Sequence, residues 1–146
     1  MRARSRARNR ALQLLYAWES RGAIDPPTLG LETFVAEHRL APDVRTYMER
    51  LIGVVAQHIA EIDDALIDAL TNWRLDRLAT IDRNILRIAA AEMLYIDDVP
   101  PRVSIQEAIL LAERFGSPQS PRFVNGVLDA LMRAPRRARN GGSEAS

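Results

Sequence analysis

The sequence predicts an all-α protein. Three observations carry that reading: apolar residues recur at helical spacing in almost every segment, strand-type alternation is scarce, and Gly and Pro cluster at a few breaks. The first helix runs from about residue 4 to Ser20 and is stopped by Arg21-Gly22. Ala3, Ala7, Ala11, Leu14, Leu15 and Trp18 gather on one face of it. Arginine occupies every even position from Arg2 to Arg10. On a helix these cations become two rims beside the apolar face, Arg6 and Arg10 on one side, Arg4 and Arg8 on the other.

Asp25-Pro26-Pro27 marks a loop, and a short helix follows from Leu29 to about Arg39. Ala41-Pro42-Asp43 is a start signal with Asp43 as the expected N-cap. Val44, Tyr47, Met48, Leu51, Val54 and Val55 then form a helical stripe. A separate helix is expected over about Ala60 to Thr71, with Glu61, Asp63, Asp64 and Asp68 as a solvated acidic face. The next helix carries Ile81, Ile85, Ile88 and Ala89 on one stripe, widened nearly all round by Leu86, Ala90, Met93 and Leu94. A helix apolar on most sides belongs at the centre of its domain. Glu92 sits among these residues, so it needs a buried partner. Asp97 to Pro101 ends that helix, and Ser104-Ile105-Gln106-Glu107 reads as a capping box for the next, which closes at Phe115-Gly116. Ser120 as N-cap and Pro121 at the first helical position open the last helix, which runs to about Arg133. The count is about seven helices, and the short connections favour packed bundles. Residues 1–133 form one domain, and the polar stretch 134–146 is expected to be a disordered basic tail.

The net charge of +1 hides an asymmetry. Residues 1–10 hold five Arg and no acid, and residues 133–139 hold four Arg and no acid. Residues 11–132 hold 11 Arg against 18 Asp and Glu. Basic ends suit a polyanion, and an acidic body suits a basic protein partner. The chain has no Cys and no Lys, which excludes disulfides, thiolate metal sites, a cysteine nucleophile and a Walker A loop. No apolar run reaches the roughly 20 residues of a membrane span, so a cytoplasmic protein is expected. The two histidines, His38 and His58, lie on separate predicted helices and read as structural or surface residues. No metal or cofactor is expected. Phosphate recognition is better supported: Arg4, Arg6 and Arg8 stand at one helix N-terminus and Arg122 at another, with Phe123 beside it to stack a base or fill the core.

These residues carry a resemblance. "RSRARNRALQLLYAWES" resembles the first helix of the NusB family. The segment from "WRLDRLATIDRNILRIAAAEMLYIDDVPP" to "FVNGVLDALM" is similar to that family's C-terminal half, with the ILRIAxxEMLY core, the IxEAxxLAxxFG helix and SPxFVNGVLD in order. Residues 22–72 match less distinctively. The resemblance implies two three-helix bundles packed together, an N-terminal one over about 4–72 and a C-terminal one over about 73–133. It implies a non-enzymatic antitermination factor for ribosomal RNA operons. Such a factor binds boxA-type single-stranded RNA jointly with a small ribosomal protein, NusE, in the antitermination complex of RNA polymerase. Carried over by position, the RNA surface includes Arg4, Arg6, Arg8, Gln13, Arg122, Phe123 and Asn125, with Tyr16 matching the pattern as well. Asp82 is the expected polar contact to the protein partner. Self-association is compatible with it.

Two departures stand out: Pro118 and Gln119 occupy positions where relatives often carry acids, and Gln106 replaces a usual Asn. Two other readings stay open at this level. The chain could be the NusB-like module of a ribosomal RNA cytosine methyltransferase, or a protein-interaction bundle with no RNA role.

Overall fold

The computed structural model describes residues 2–134. Arg136, Arg137 and Arg139 of the basic tail lie outside them. Among the described residues there are six α-helices, two 3-10 turns and no strand. The helices are α1 (Ala3–Ser20), α2 (Leu31–His38), α3 (Pro42–Ala69), α4 (Thr80–Tyr95), α5 (Pro101–Phe115) and α6 (Ser120–Arg133). The 3-10 turns are Pro27–Gly30 before α2 and Leu75–Arg77 before α4. No helix among the described residues is long and apolar enough to cross a membrane.

Six helices replace the expected seven because α3 is continuous for 28 residues. No Gly or Pro separates the two apolar stripes assigned to it. Val44, Met48, Leu51, Val55, Ile62 and Leu66 are all buried, so one stripe keeps its phase along the whole length. The junction survives only as a local distortion at His58 (φ −118°, ψ 23°). Its ring stacks on Tyr95 at 3.8 Å.

Three expected caps are corrected. Pro42 takes the first turn of α3 with Ala41 before it, and the Asp43 carboxylate accepts only its neighbour Val44 N–H, at 2.9 Å. α5 starts at Pro101, three residues ahead of the predicted cap, because proline suits a position whose N–H would be free anyway. The amides of Val103 and Ser104 donate to the Pro100 carbonyl, so Ser104 is buried inside the helix and caps nothing. Ser120 forms the first residue of α6, and its Oγ accepts the Ser117 N–H at 2.9 Å. Gly116 closes α5 without a left-handed turn (φ −92°). It is glycine for space: a Cβ there would lie 2.6 Å from the Ser120 side chain and 2.9 Å from the Ala112 carbonyl oxygen. At Gly22 the left-handed backbone is real (φ +94°), and it turns the chain off α1.

α4 is the central element. It packs against α1, α3, α5 and α6, while α1 packs on α3 and α5 on α6. Every residue from Asn84 to Leu94 is buried. The run Ala89-Ala90-Ala91 keeps the helix thin where neighbours crowd it, and Ile85, Leu86 and Ile88 fill the spaces between them. Each such side chain contributes about 1.5–3 kcal/mol by leaving water.

Two ionic networks tie α1 to this core. Near the N-terminal end of α1, Arg8 is 3% exposed. It donates from Nε to Glu92 at 2.7 Å and from a terminal nitrogen to Glu107 at 2.9 Å. The Tyr47 hydroxyl also donates to Glu92, at 2.5 Å, and the Ser5 hydroxyl to Glu107 at 2.5 Å. Burial and the adjacent Glu92 carboxylate push the Tyr47 phenol well above its ordinary range, so it stays a donor. At the other end of α1, Glu19 accepts from Arg83, Asn84 and Arg87, and Arg87 reaches on to Asp63 of α3 at 2.9 and 3.0 Å. Burial alone would raise the Glu19 carboxyl. The hydrogen bond from Arg83 and the charges of Arg87 and Arg83 outweigh it and hold that carboxyl below its ordinary value of 4.5.

Removing Arg8 leaves Glu92 buried without its cation. Arg8→Ala should therefore cost about 3–5 kcal/mol of unfolding free energy, read as a lower urea midpoint. The Glu19 network sets a pH dependence. A carboxyl with a depressed folded pKa binds protons less readily in the folded state, so its stabilisation is complete above the unfolded value of 4.5 and is lost as pH falls through the folded value. Acid titration of stability should be shallower below that pH in Glu19→Gln than in the parent; equal slopes would exclude Glu19 as a source.

Candidate nucleic-acid interface

A step of two residues turns a helix by about 200°. The alternating arginines of α1 therefore fall into two sets on opposite sides. Arg2, Arg6 and Arg10 point outward; Arg4 and Arg8 point toward α3 and α4. The structure shows the consequence. Arg2 and Arg6 are exposed, and neither side chain has a partner among the described residues. Arg10 is half-buried and donates to the Gln13 side-chain oxygen at 3.0 Å. Tyr16, next at the same spacing, is 46% exposed. The result is an outward stripe of three cations, an amide and a phenol along α1. No acid occupies the first turn of that helix, so its free N–H groups add to the positive potential.

The inward set behaves differently. Arg8 is committed to Glu92 and Glu107 and is not presented to solvent, which corrects the expected second basic rim. Arg4 is intermediate. Its guanidinium lies 4.4 Å from the Tyr47 ring centre and donates to Asp98 at 3.0 Å. Arg50 also reaches Asp98, at 3.5 Å. That cluster is open to water, so its pairing is weak and exchangeable. The hydrogen bond from Arg4 holds the Asp98 carboxyl below its usual range.

The second predicted group sits at the start of α6. Arg122 and Asn125 are exposed, one helical turn apart. Phe123 is half-buried and meets Trp73 edge-on, with ring centres 6.0 Å apart at 77°. Trp73 lies two residues before the start of the 3-10 turn Leu75–Arg77, whose Leu75 carbonyl, with that of Leu78, accepts from Arg83 in α4. Phe123 thus lies at the N-terminal end of α4, whereas Arg4 contacts Asp98 beyond its C-terminal end. The two groups are separated by the length of α4, about 24 Å at 1.5 Å per residue. The structure does not merge them into one patch.

Asp82 lies in the first turn of α4, at the same end as Phe123. The residue is partly exposed, but its Oδ1 is buried and receives no hydrogen bond among the described residues. The histidines have other engagements: His38 stacks on Phe34 and contacts its carbonyl, and His58 stacks on Tyr95. Sequence reasoning set Arg10 beside Arg6 on one rim but left it out of the RNA-contact residues, and it passed over Trp73 as the neighbour of Phe123. Arg10 was recoverable from its i+4 spacing to Arg6; the Trp73 contact links positions 50 residues apart and had no local signal.

The NusB family model matches residues 5–133. The transcription antitermination protein NusB of Sorangium cellulosum is 44% identical over 131 residues, covering 90% of this chain and 92% of that protein. Its counterpart from Nocardioides sp. is 39% identical over 133 residues, covering 91% and 96%. None of these names carries an enzymatic activity. Among solved structures, T. maritima NusB superposes with a TM-score of 0.82 at 33% identity, covering 94% of this chain and 96% of that one. A chain from the structure of the antitermination factors NusB and NusE in complex with dsRNA gives 0.82 at 31% identity, covering 92% and 99%. With a family match over nearly its whole described length and relatives this similar, the chain belongs to the NusB family.

Proposed function

We propose that this protein is a non-enzymatic transcription antitermination factor. In this reading it takes single-stranded boxA-type RNA from ribosomal RNA operons together with a small ribosomal protein, NusE, at RNA polymerase in the cytoplasm. The observation that carries the proposal is the outward stripe of α1. Arg2 and Arg6 are exposed cations with no acidic partner among the described residues, in a molecule whose body is otherwise acidic. Unpaired cations on such a body favour phosphate, because there is no internal counter-charge to displace. Gln13 and Tyr16 extend the stripe with a hydrogen-bonding amide and an exposed ring, the groups that read splayed bases.

Arg122, Phe123 and Asn125 supply a second contact at the far end of α4. An RNA that meets both must run across the molecule, which favours a flexible single strand over a short stem. Arg4 joins the first contact by exchanging its exposed Asp98 for a phosphate. Arg8 takes no part in binding; it holds α1 in place. Asp82, partly exposed in the first turn of α4, is the polar contact for a basic partner beside the Phe123 end. The relative solved with NusE and double-stranded RNA makes both partner classes reasonable for this chain.

The test is fluorescence anisotropy with a labelled boxA RNA and a scrambled control, at several salt concentrations, with and without the ribosomal partner. Preferential binding that tightens with the partner is expected. Equal, weak binding to both RNAs would sink the boxA reading. Each phosphate contact contributes about −0.7 to the slope of log K against log salt. Arg6→Ala should therefore weaken binding and flatten the slope by about that amount. Arg8→Ala, measured well below its melting temperature, should leave the slope alone. Asp82→Lys should abolish tightening by the partner while RNA binding by the protein alone is retained.

A further inference from the structure

We infer that Trp73 is a nucleobase-stacking residue that extends the Phe123 contact to a neighbouring base of the bound strand. The inference rests on the RNA-binding reading above and adds a residue to it. Trp73 is 61% exposed, the largest side chain the described residues leave in water. Its neighbours explain why it is held there. Leu70 and Leu75 on either side are buried, and Arg83 fixes the carbonyls of Leu75 and Leu78. The connector between α3 and α4 is thereby anchored at both ends with the indole outside. The edge-on contact with Phe123 orients the ring while leaving indole surface open.

The surrounding charge selects the occupant. Arg77 and Arg122 are exposed and have no partner among the described residues. Arg74 is paired with Asp76 at 2.9 Å. Two aromatic rings beside two uncommitted cations suit bases joined by phosphates, since stacking is tolerant of base identity and the cations follow the backbone.

The chain contains a built-in control. Its only other tryptophan, Trp18, is buried, and its indole N–H donates to the Asp25 carbonyl. A change in tryptophan emission on adding RNA thus reports on Trp73. The experiment titrates the full chain, with the ribosomal partner at fixed concentration, with the boxA single strand, and reads tryptophan emission and RNA anisotropy in parallel. Quenching that saturates together with the anisotropy is expected. Trp73→Phe should bind RNA within a few-fold of the parent but lose the quenching. Trp73→Ala should bind about tenfold more weakly with an unchanged salt slope. Saturated anisotropy with no emission change, or parental affinity in Trp73→Ala, overturns the assignment and leaves the RNA reading standing. Loss of partner binding without loss of RNA binding in Trp73→Ala overturns it in favour of a protein contact. If the parent shows no RNA anisotropy at all, both readings fall.

Discussion

A carboxylate in the middle of the most buried helix must have its charge answered, and the arrangement of the N-terminal half follows from that need. Glu92 is 1% exposed. Arg8 comes from α1 and Tyr47 from α3, so one buried oxygen determines how two helices meet a third. Desolvation makes such a pair a poor source of net stability but a strong source of geometry, because every other register leaves a charge unpaired. Glu107 of α5 closes the set through Arg8 and Ser5, so the same cation also links the C-terminal helices. The Glu19 cluster repeats the device at the other end of α1, and between them the helix has no freedom to slide or roll.

That immobility is what gives the outward stripe its value. Arg6, Arg10, Gln13 and Tyr16 make few contacts with the core, yet their spacing is as fixed as the core, since the opposite face of the same helix is clamped twice. Binding groups of this kind lose less freedom on meeting a ligand than groups on a loop. The connector carrying Trp73 is held by a similar method, with buried leucines and a bridging arginine.

Much of the fold was legible from periodicity. The central position of α4 followed from its all-round apolar character, and the demand of Glu92 for a partner followed from its place on the helical wheel. What failed was local punctuation. Ser104 and Asp43 have the chemistry of caps, but Pro101 and Pro42 start their helices earlier, and a prolyl ring that fixes φ outranks a side-chain acceptor. The division of α3 failed because two stripes in one phase were read as two helices. The arginine run was read correctly as helical and incorrectly as wholly exposed. Which arginines turn inward depends on Glu92 and Glu107, more than 80 residues away. The separation of the Arg4 and Phe123 groups was equally invisible, since it is set by the direction in which α1 and α6 lie along α4.

The two-residue rhythm of the first ten positions has a consequence for how the segment tolerates length changes. Shortening it by one residue ahead of Arg8 would rotate everything upstream by about 100°, scattering cations off both faces. Excising Ser5 and Arg6 together would bring Arg4 into the setting of Arg6 and Arg2 into that of Arg4. The interior pair would keep its partner and the outer row would be shorter by one charge. The segment is thus a ladder whose rungs are interchangeable in steps of two, robust to even slippage and intolerant of odd.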